Sequence, residues 1–192
     1  HLALAAPLTM ENLPLCSVIL PFRNAEPSLP SALRSLENQT LQNMEVIAID
    51  DHSTDHSAAF VKALTERDPR FHLVHAAQPG LVNALTTGLT NARAPLIARM
   101  DADDVCHPTR LARQVAYLQN HLDCGLVSCR VSHGGDPQTQ AGYARHVDWA
   151  NSLLTPEALK QNRFVDSPLP HPSVLFRAEL VMQLGGYRDG AF

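Results

Sequence analysis

No stretch of this 192-residue sequence concentrates lysine and arginine. Surfaces that bind nucleic acid need clustered cations to displace the counterions of the phosphate backbone, so no nucleic-acid partner is expected. The formal charge is instead −4 and dispersed. No apolar run reaches the ~20 residues that cross a bilayer, so no membrane span is expected in this chain, although a parent protein could sit at the cytoplasmic face of a membrane. The four cysteines, Cys16, Cys106, Cys124 and Cys129, show no C-x-x-C spacing and are too sparse for a disulfide scaffold. That usage fits a reducing compartment, and a cytoplasmic location is the expectation. Ten histidines are present, yet none stands with another His or Cys at a usual zinc-ligand spacing; His52 and His56 come nearest. There is no G-x-S-x-G elbow, no G-x-G-x-x-G after the first apolar run, no internal repeat and no low-complexity segment.

The apolar fraction of 45% is ordinary for a globular protein, and the length suits one sizeable core. Residues 10–192 are read as a single domain. The opening HLALAAPLT lacks the charged start and long apolar centre of a signal peptide, and residues 1–9 are read as a tag or linker remnant before Met10. Strand-like runs recur at Cys16 to Leu20, Glu45 to Ile49, Phe71 to His75, Leu96 to Met100, Gly125 to Val131 and Ser173 to Phe176. Helical spacing lies between them: Leu29, Leu33 and Leu36; Leu81, Ala84, Leu85 and Leu89; Leu111, Val115, Leu118 and Leu122. Ser53 or Thr54 is the expected cap of a helix reaching about Glu66, and Pro108 suits a first helical turn. From Val131 to Pro170 the pattern is irregular, with a helix expected near Pro156 to Gln161. Strands alternating with helices in this way predict an α/β fold, a mostly parallel sheet with helices on both faces.

Such sheets bind ligands at the carboxyl ends of their strands. Two acidic clusters fall there: Asp50-Asp51 after the second run, and Asp101-Ala102-Asp103-Asp104 after the fourth. Crowded carboxylates repel one another, and a cation would offset the repulsion. In an extended segment Asp101 and Asp103 point one way while Ala102 and Asp104 point the other, which suits a two-carboxylate grip on one object. Mg²⁺ or Mn²⁺ prefers such oxygen ligands and keeps positions open for phosphate oxygens, so a metal-bound diphosphate is the implied ligand. The alternative is a solvated loop whose carboxylates cap the helix after Pro108; likewise Asp51, Ser53, Thr54 and Asp55 would suit a capped helix start with no ligand.

In order along the chain, CSVILPFRNAE, SLENQTLQNMEVIAIDDHSTDHS, GLVNALTTGLTNARAPLIARMDADDVCHPTRL and HPSVLFRAELVMQLGGYRDG resemble the family-2 glycosyltransferases, which have the GT-A fold and use nucleotide-sugar donors. The resemblance covers nearly everything from Cys16 to Gly190. It implies that Pro21 and Arg23 line the nucleoside site, that Asp51 contacts the base, commonly uracil, and that Asp50 supports that loop. It further implies that Asp101, beside Ala102, approaches the ribose or the metal shell, that Asp103 is the main ligand of Mg²⁺ or Mn²⁺, and that Asp104 binds indirectly or orients the loop. Arg23, His52 and Thr86 stand where the family often has an aromatic residue, a Gly and an Asn. The resemblance places the general base in an acidic motif beyond the turn Gly185-Gly186-Tyr187-Arg188-Asp189. A C-terminally truncated catalytic domain, inactive or weak, is therefore expected, and Asp189 is not the base. His171 falls near the acceptor side, or simply precedes an edge strand begun by Pro172.

The expected activity is thus an inverting transfer from a nucleoside-diphosphate sugar, with a UDP-sugar leading, to a glycan, lipid-linked or protein acceptor. Two rivals remain at this point: a nucleotidyltransferase making nucleotide sugars, which usually carries a Gly-rich basic loop where this chain has PFRNAEP, and a non-catalytic nucleotide-binding or scaffolding module.

Overall fold

Cys16–Phe22 (β1) and Met44–Asp50 (β2) are buried at every position. Largely apolar runs of this kind, broken only by the buried polar Ser17, Glu45 and Asp50, are what strands covered on both faces require. In the computed structural model, which describes residues 13–136 and 138–188, they sit at the centre of a six-stranded sheet of order β3-β2-β1-β4-β6-β5. The remaining strands are Phe71–His75 (β3), Leu96–Arg99 (β4), Leu126–Val127 (β5) and Leu175–Arg177 (β6). β1 pairs in parallel with β2 and β4, and β2 with β3, whereas β6 runs antiparallel to both β4 and β5. The expected α/β architecture is therefore present.

Among the described residues seven α-helices surround the sheet: Leu29–Glu37 (α1), Ser57–Thr65 (α2), Leu81–Asn91 (α3), Arg110–Asn120 (α4), Ala141–Ser152 (α5), Pro156–Asn162 (α6) and Ala178–Gln183 (α7). Leu29, Leu33 and Leu36 of α1, Val61 and Leu64 of α2, and Leu111, Val115 and Leu118 of α4 share one core with Val18, Leu20, Val46 and Ala98. Ala84 and Leu85 of α3 share the other with Ile19, Ile47, Ile49 and Ile97. Alternate strand residues thus feed opposite faces, as the period of two demands. α3 lies so close to the sheet that a Cβ on Gly88 would stand 2.6 Å from Ile19 and 3.0 Å from Ile49. Pro21 is buried within β1 at no cost to the ladder. Ile19 accepts from the Met100 N–H on the β4 side, so the Pro21 nitrogen, two residues on, faces the same side beyond the last β1–β4 pair, Ile19 with Arg99.

Several boundaries differ from expectation. The run Gly125 to Val131 forms a strand only at Leu126–Val127, because Val131 is held instead by the Asn151 side chain of α5 through both its N–H and its carbonyl. His171–Ser173 is a 3-10 turn, and β6, starting at Leu175, lies between β4 and β5; Pro172 therefore begins no edge strand. α4 ends at Asn120, leaving Leu122 exposed outside the helix, and Pro108 precedes the helix rather than opening it. The excursion after Val131 holds the expected helix as α6, and also α5, whose polar sequence buries only Ala150 and so carries little apolar period. Residues 1–9 and Asp189 lie outside the described residues.

Candidate functional site

The loops after β1 and β2 are stitched together by short polar side chains. Ser53 Oγ accepts from the Asn24 N–H at 3.1 Å, Asn24 Oδ1 accepts from the Thr54 N–H at 2.8 Å, and Asp55 Oδ2 accepts from the Glu26 N–H at 3.1 Å. Ser53 and Thr54 are thus cross-ties rather than helix caps, which corrects the expectation for α2; the Ser57 N–H at its start is met by Asp55 Oδ1 at 3.0 Å. Asn24 and His52 occupy the left-handed region, with φ of 49° and 58°. That conformation explains the frequent Gly at the His52 position, since a side chain there carries a steric cost.

On this frame Asp50 and Asp51 are both nearly buried. Asp50 accepts from the Ser53 N–H at 2.9 Å and faces His75 Nδ1 at 3.1 Å. Asp51 Oδ1 accepts from the Gly80 N–H at 2.8 Å, at the entry to α3. Among the described residues Asp51 Oδ2 has no hydrogen-bond partner. Arg23 is exposed at the end of β1.

β2 and β4 flank β1, so Asp51 and the second cluster emerge at the same edge of the sheet, on strands about 10 Å apart. The second cluster does not alternate as an extended segment would. It turns, with the Asp104 N–H donating to the Asp101 carbonyl at 3.3 Å, and carboxylate oxygens of Asp101, Asp103 and Asp104 lie within 4.8 Å of one another. Ala102 is tucked inward while Asp103 is exposed. The turn thus brings Asp104 alongside the other two instead of directing it away, and α4, capped by no side chain, takes nothing from these carboxylates.

Burial raises the Asp104 pKa, and the charges of Asp101 and Asp103 raise it further, against the opposing pull of Arg99 and Arg110. Arg99 is the residue that sequence reasoning missed. It is 2% exposed beneath the cluster and its Nη1 pairs with Asp101, yet neither Nε nor Nη1 makes a well-directed hydrogen bond. The ion pair satisfies the distance but not the angle, so its contribution is charge neutralisation rather than a hydrogen bond. The signal was a lone cation inside the apolar run Pro95-Leu96-Ile97-Ala98-Arg99-Met100. Three oxygen donors around one point suit a hard divalent ion such as Mg²⁺ or Mn²⁺, and the mutual repulsion is what such an ion would relieve.

His171 Nε2 lies 3.1 Å from the Tyr187 hydroxyl. The protein around His171, and then Arg99, lower its pKa, while burial raises that of Tyr187, so this pair is neutral near pH 7. The charges of Arg99 and Asp101 at the end of β4 act on His171 in opposite directions.

Residues 17–185 match the profile described as Glycosyl transferase family 2. The chain belongs to that family. An uncharacterized glycosyltransferase of Haemophilus influenzae is 36% identical over 187 residues, covering 89% of this chain and 54% of the relative. The putative glycosyltransferase EpsE of Bacillus subtilis is 34% identical over 182 residues, covering 94% of this chain and 62% of the relative. This family-2 chain thus spans between about half and three-fifths of those two curated proteins. Among solved structures, a mannosyltransferase from Pyrobaculum calidifontis in complex with GDP-Man and Mn²⁺ superimposes with a TM-score of 0.68 at 26% identity, covering 92% of this chain and 48% of the other. TarS of S. aureus, solved with UDP-GlcNAc, gives a TM-score of 0.64 at 19% identity over 91% of this chain and 48% of the other, which is a likeness of fold.

Proposed function

We propose that this chain is the donor-binding part of an inverting glycosyltransferase that takes a nucleoside-diphosphate sugar with the help of Mg²⁺ or Mn²⁺. The carrying observation is that Asp51 and the Asp101–Asp103–Asp104 cluster share one edge of the sheet, two strands apart. In this reading Pro21 and Arg23 border the nucleoside, and Asp50, held by Ser53 and His75, keeps the loop in shape. Asp51 Oδ2 accepts a base N–H, which both uracil and guanine present. Asp103, the exposed member, and Asp101 hold the metal, while Asp104 completes the oxygen set or orients the turn beside Ala102. The metal, when bound, neutralises the charge that grows on the departing diphosphate. An acceptor hydroxyl attacks the anomeric carbon from the face opposite that leaving group, which inverts its configuration.

Support for the donor class comes from the mannosyltransferase neighbour, solved with GDP-Man and Mn²⁺. UDP- and GDP-linked sugars are therefore both carried into the test. The all-oxygen donor set favours this reading over a scaffolding module, for which three converging carboxylates bring repulsion that Arg99 offsets only at Asp101.

Calorimetric titration of UDP and of GDP, with and without Mn²⁺, tests the assignment on this chain and on Asp103→Asn. One nucleotide should bind only with metal, and the variant should weaken that binding by more than about tenfold. Metal-independent binding, or an unchanged affinity in the variant, would overturn the metal role.

A further inference from the structure

Beyond Asp104, away from Asp51, the sheet edge opens into a cavity of about 970 Å³. One wall comes from α4 and the loop before it, another from Val127 of β5 and the residues 128–134 that follow it, and the floor from Pro172 and Ser173 ahead of β6. Its position follows from the strand order: the base-contacting Asp51 ends β2, the cluster ends β4, and the cavity lies on the β6–β5 side. A donor laid from base to diphosphate along that edge presents its sugar next to this cavity.

The lining carries a charge bias unlike that of the chain. Arg110, Arg113 and Arg130 contribute to it against one carboxylate, Asp104, although the chain as a whole is acidic at −4. Arg110 is occupied: it donates to the Arg99 carbonyl at 2.8 Å and to Gln114 at 3.1 Å. Arg113 and Arg130 come from different walls, are both exposed, and their side chains make no hydrogen bond or ion pair among the described residues. Tyr117, also lining the cavity and 46% exposed, is fixed by stacking on His121 at 4.0 Å, which gives the wall a rigid aromatic surface against which a sugar ring can pack.

We propose that this cavity is the acceptor subsite and that its acceptor is a sugar bearing an anionic group, a phosphate or a carboxylate, held by Arg113 and Arg130. The inference rests on the donor and metal assignment above. Arginine suits the task because its planar fork meets either anion with two parallel hydrogen bonds.

The test is titration of the chain at low salt with glucose 1-phosphate, glucuronate, methyl glucoside and inorganic phosphate, on wild type, on Arg113→Gln/Arg130→Gln and on Arg113→Lys/Arg130→Lys. At least one charged sugar should bind about tenfold or more tighter than methyl glucoside. The glutamine pair should erase that difference, the lysine pair should keep part of it, and metal-dependent nucleotide binding should be the same in all three proteins. Comparison of glucose 1-phosphate with glucuronate tells phosphate from carboxylate. Equal affinity for charged and neutral sugars, or no effect of the glutamine pair, would overturn the proposal. So would inorganic phosphate binding as well as glucose 1-phosphate, or displacement of the charged sugar by nucleotide and Mn²⁺. Failure of nucleotide binding with the anion preference intact would instead refute the transferase reading, and the acceptor role with it, while leaving the anion site.

Discussion

Burial pushes the Asp104 carboxyl above the ordinary aspartate value, and its two acidic neighbours add to that push. Its side chain makes no hydrogen bond among the described residues, so in metal-free protein its charge brings repulsion with little return. Asp104→Asn should therefore stabilise the metal-free chain, by about 1 kcal/mol, while weakening Mn²⁺ binding. Thermal melts with and without Mn²⁺ read both effects, and a lower melting temperature in metal-free Asp104→Asn would contradict the repulsion argument. Arg99 is the complementary case. Its burial is tolerable because Asp101 lies against it, and the same contact fixes the start of the acidic turn.

Among the elements, β2 is tied to its neighbours by one buried carboxylate. Glu45 is 2% exposed, accepts from Ser17 Oγ on β1 at 2.5 Å, and takes the Arg93 N–H at 2.8 Å and the Arg93 Nε at 2.7 Å from the loop before β4. Burial alone would raise its pKa, but the bonds from Ser17 and Arg93 outweigh burial and hold its carboxyl below the ordinary glutamate range. A depressed folded pKa means that the unfolded chain takes up the proton first as pH falls. The stability from this tie is therefore complete above the unfolded pKa and is lost as pH drops through the folded one. Glu45→Gln should cost about 1–3 kcal/mol at pH 7 in denaturant titration, and the gap from wild type should narrow below about pH 4. A gap that stays constant into acid would show that the charge is not what stabilises the tie.

For the whole molecule, buried contacts are unevenly shared. β1 and β2 are buried throughout, whereas α5 buries only Ala150 and α6 no residue at all. Local opening follows burial, so amides of 141–162 should exchange with solvent well before those of 16–22 and 44–50. Hydrogen-exchange mass spectrometry checks this, and equal protection would mean that α5 and α6 are held by contacts other than apolar burial. No helix among the described residues is long and apolar enough to cross a membrane. The uneven burial also explains what was legible beforehand. Core strands and helices such as β1 and α1 announce themselves because the residues that form them are the residues that bury. α5 gave no such signal, and the 3-10 turn at His171–Ser173 takes only the expected start of the strand that forms as β6.

By itself the sequence determined the alternating strands and helices, the edge at which the aspartates emerge and the family, since each follows from local apolar period or from residues in linear order. Only the tertiary structure decided that Asp104 turns in beside Asp101 and Asp103, that Arg99 lies beneath them, that Ser53 and Thr54 bind another loop rather than cap a helix, and that two arginines far apart in sequence line one cavity. The acidic turn is a local bend that spacing alone reads as extended, and the loop ties and paired arginines are meetings between segments, of which linear spacing holds no record until the apolar faces have packed.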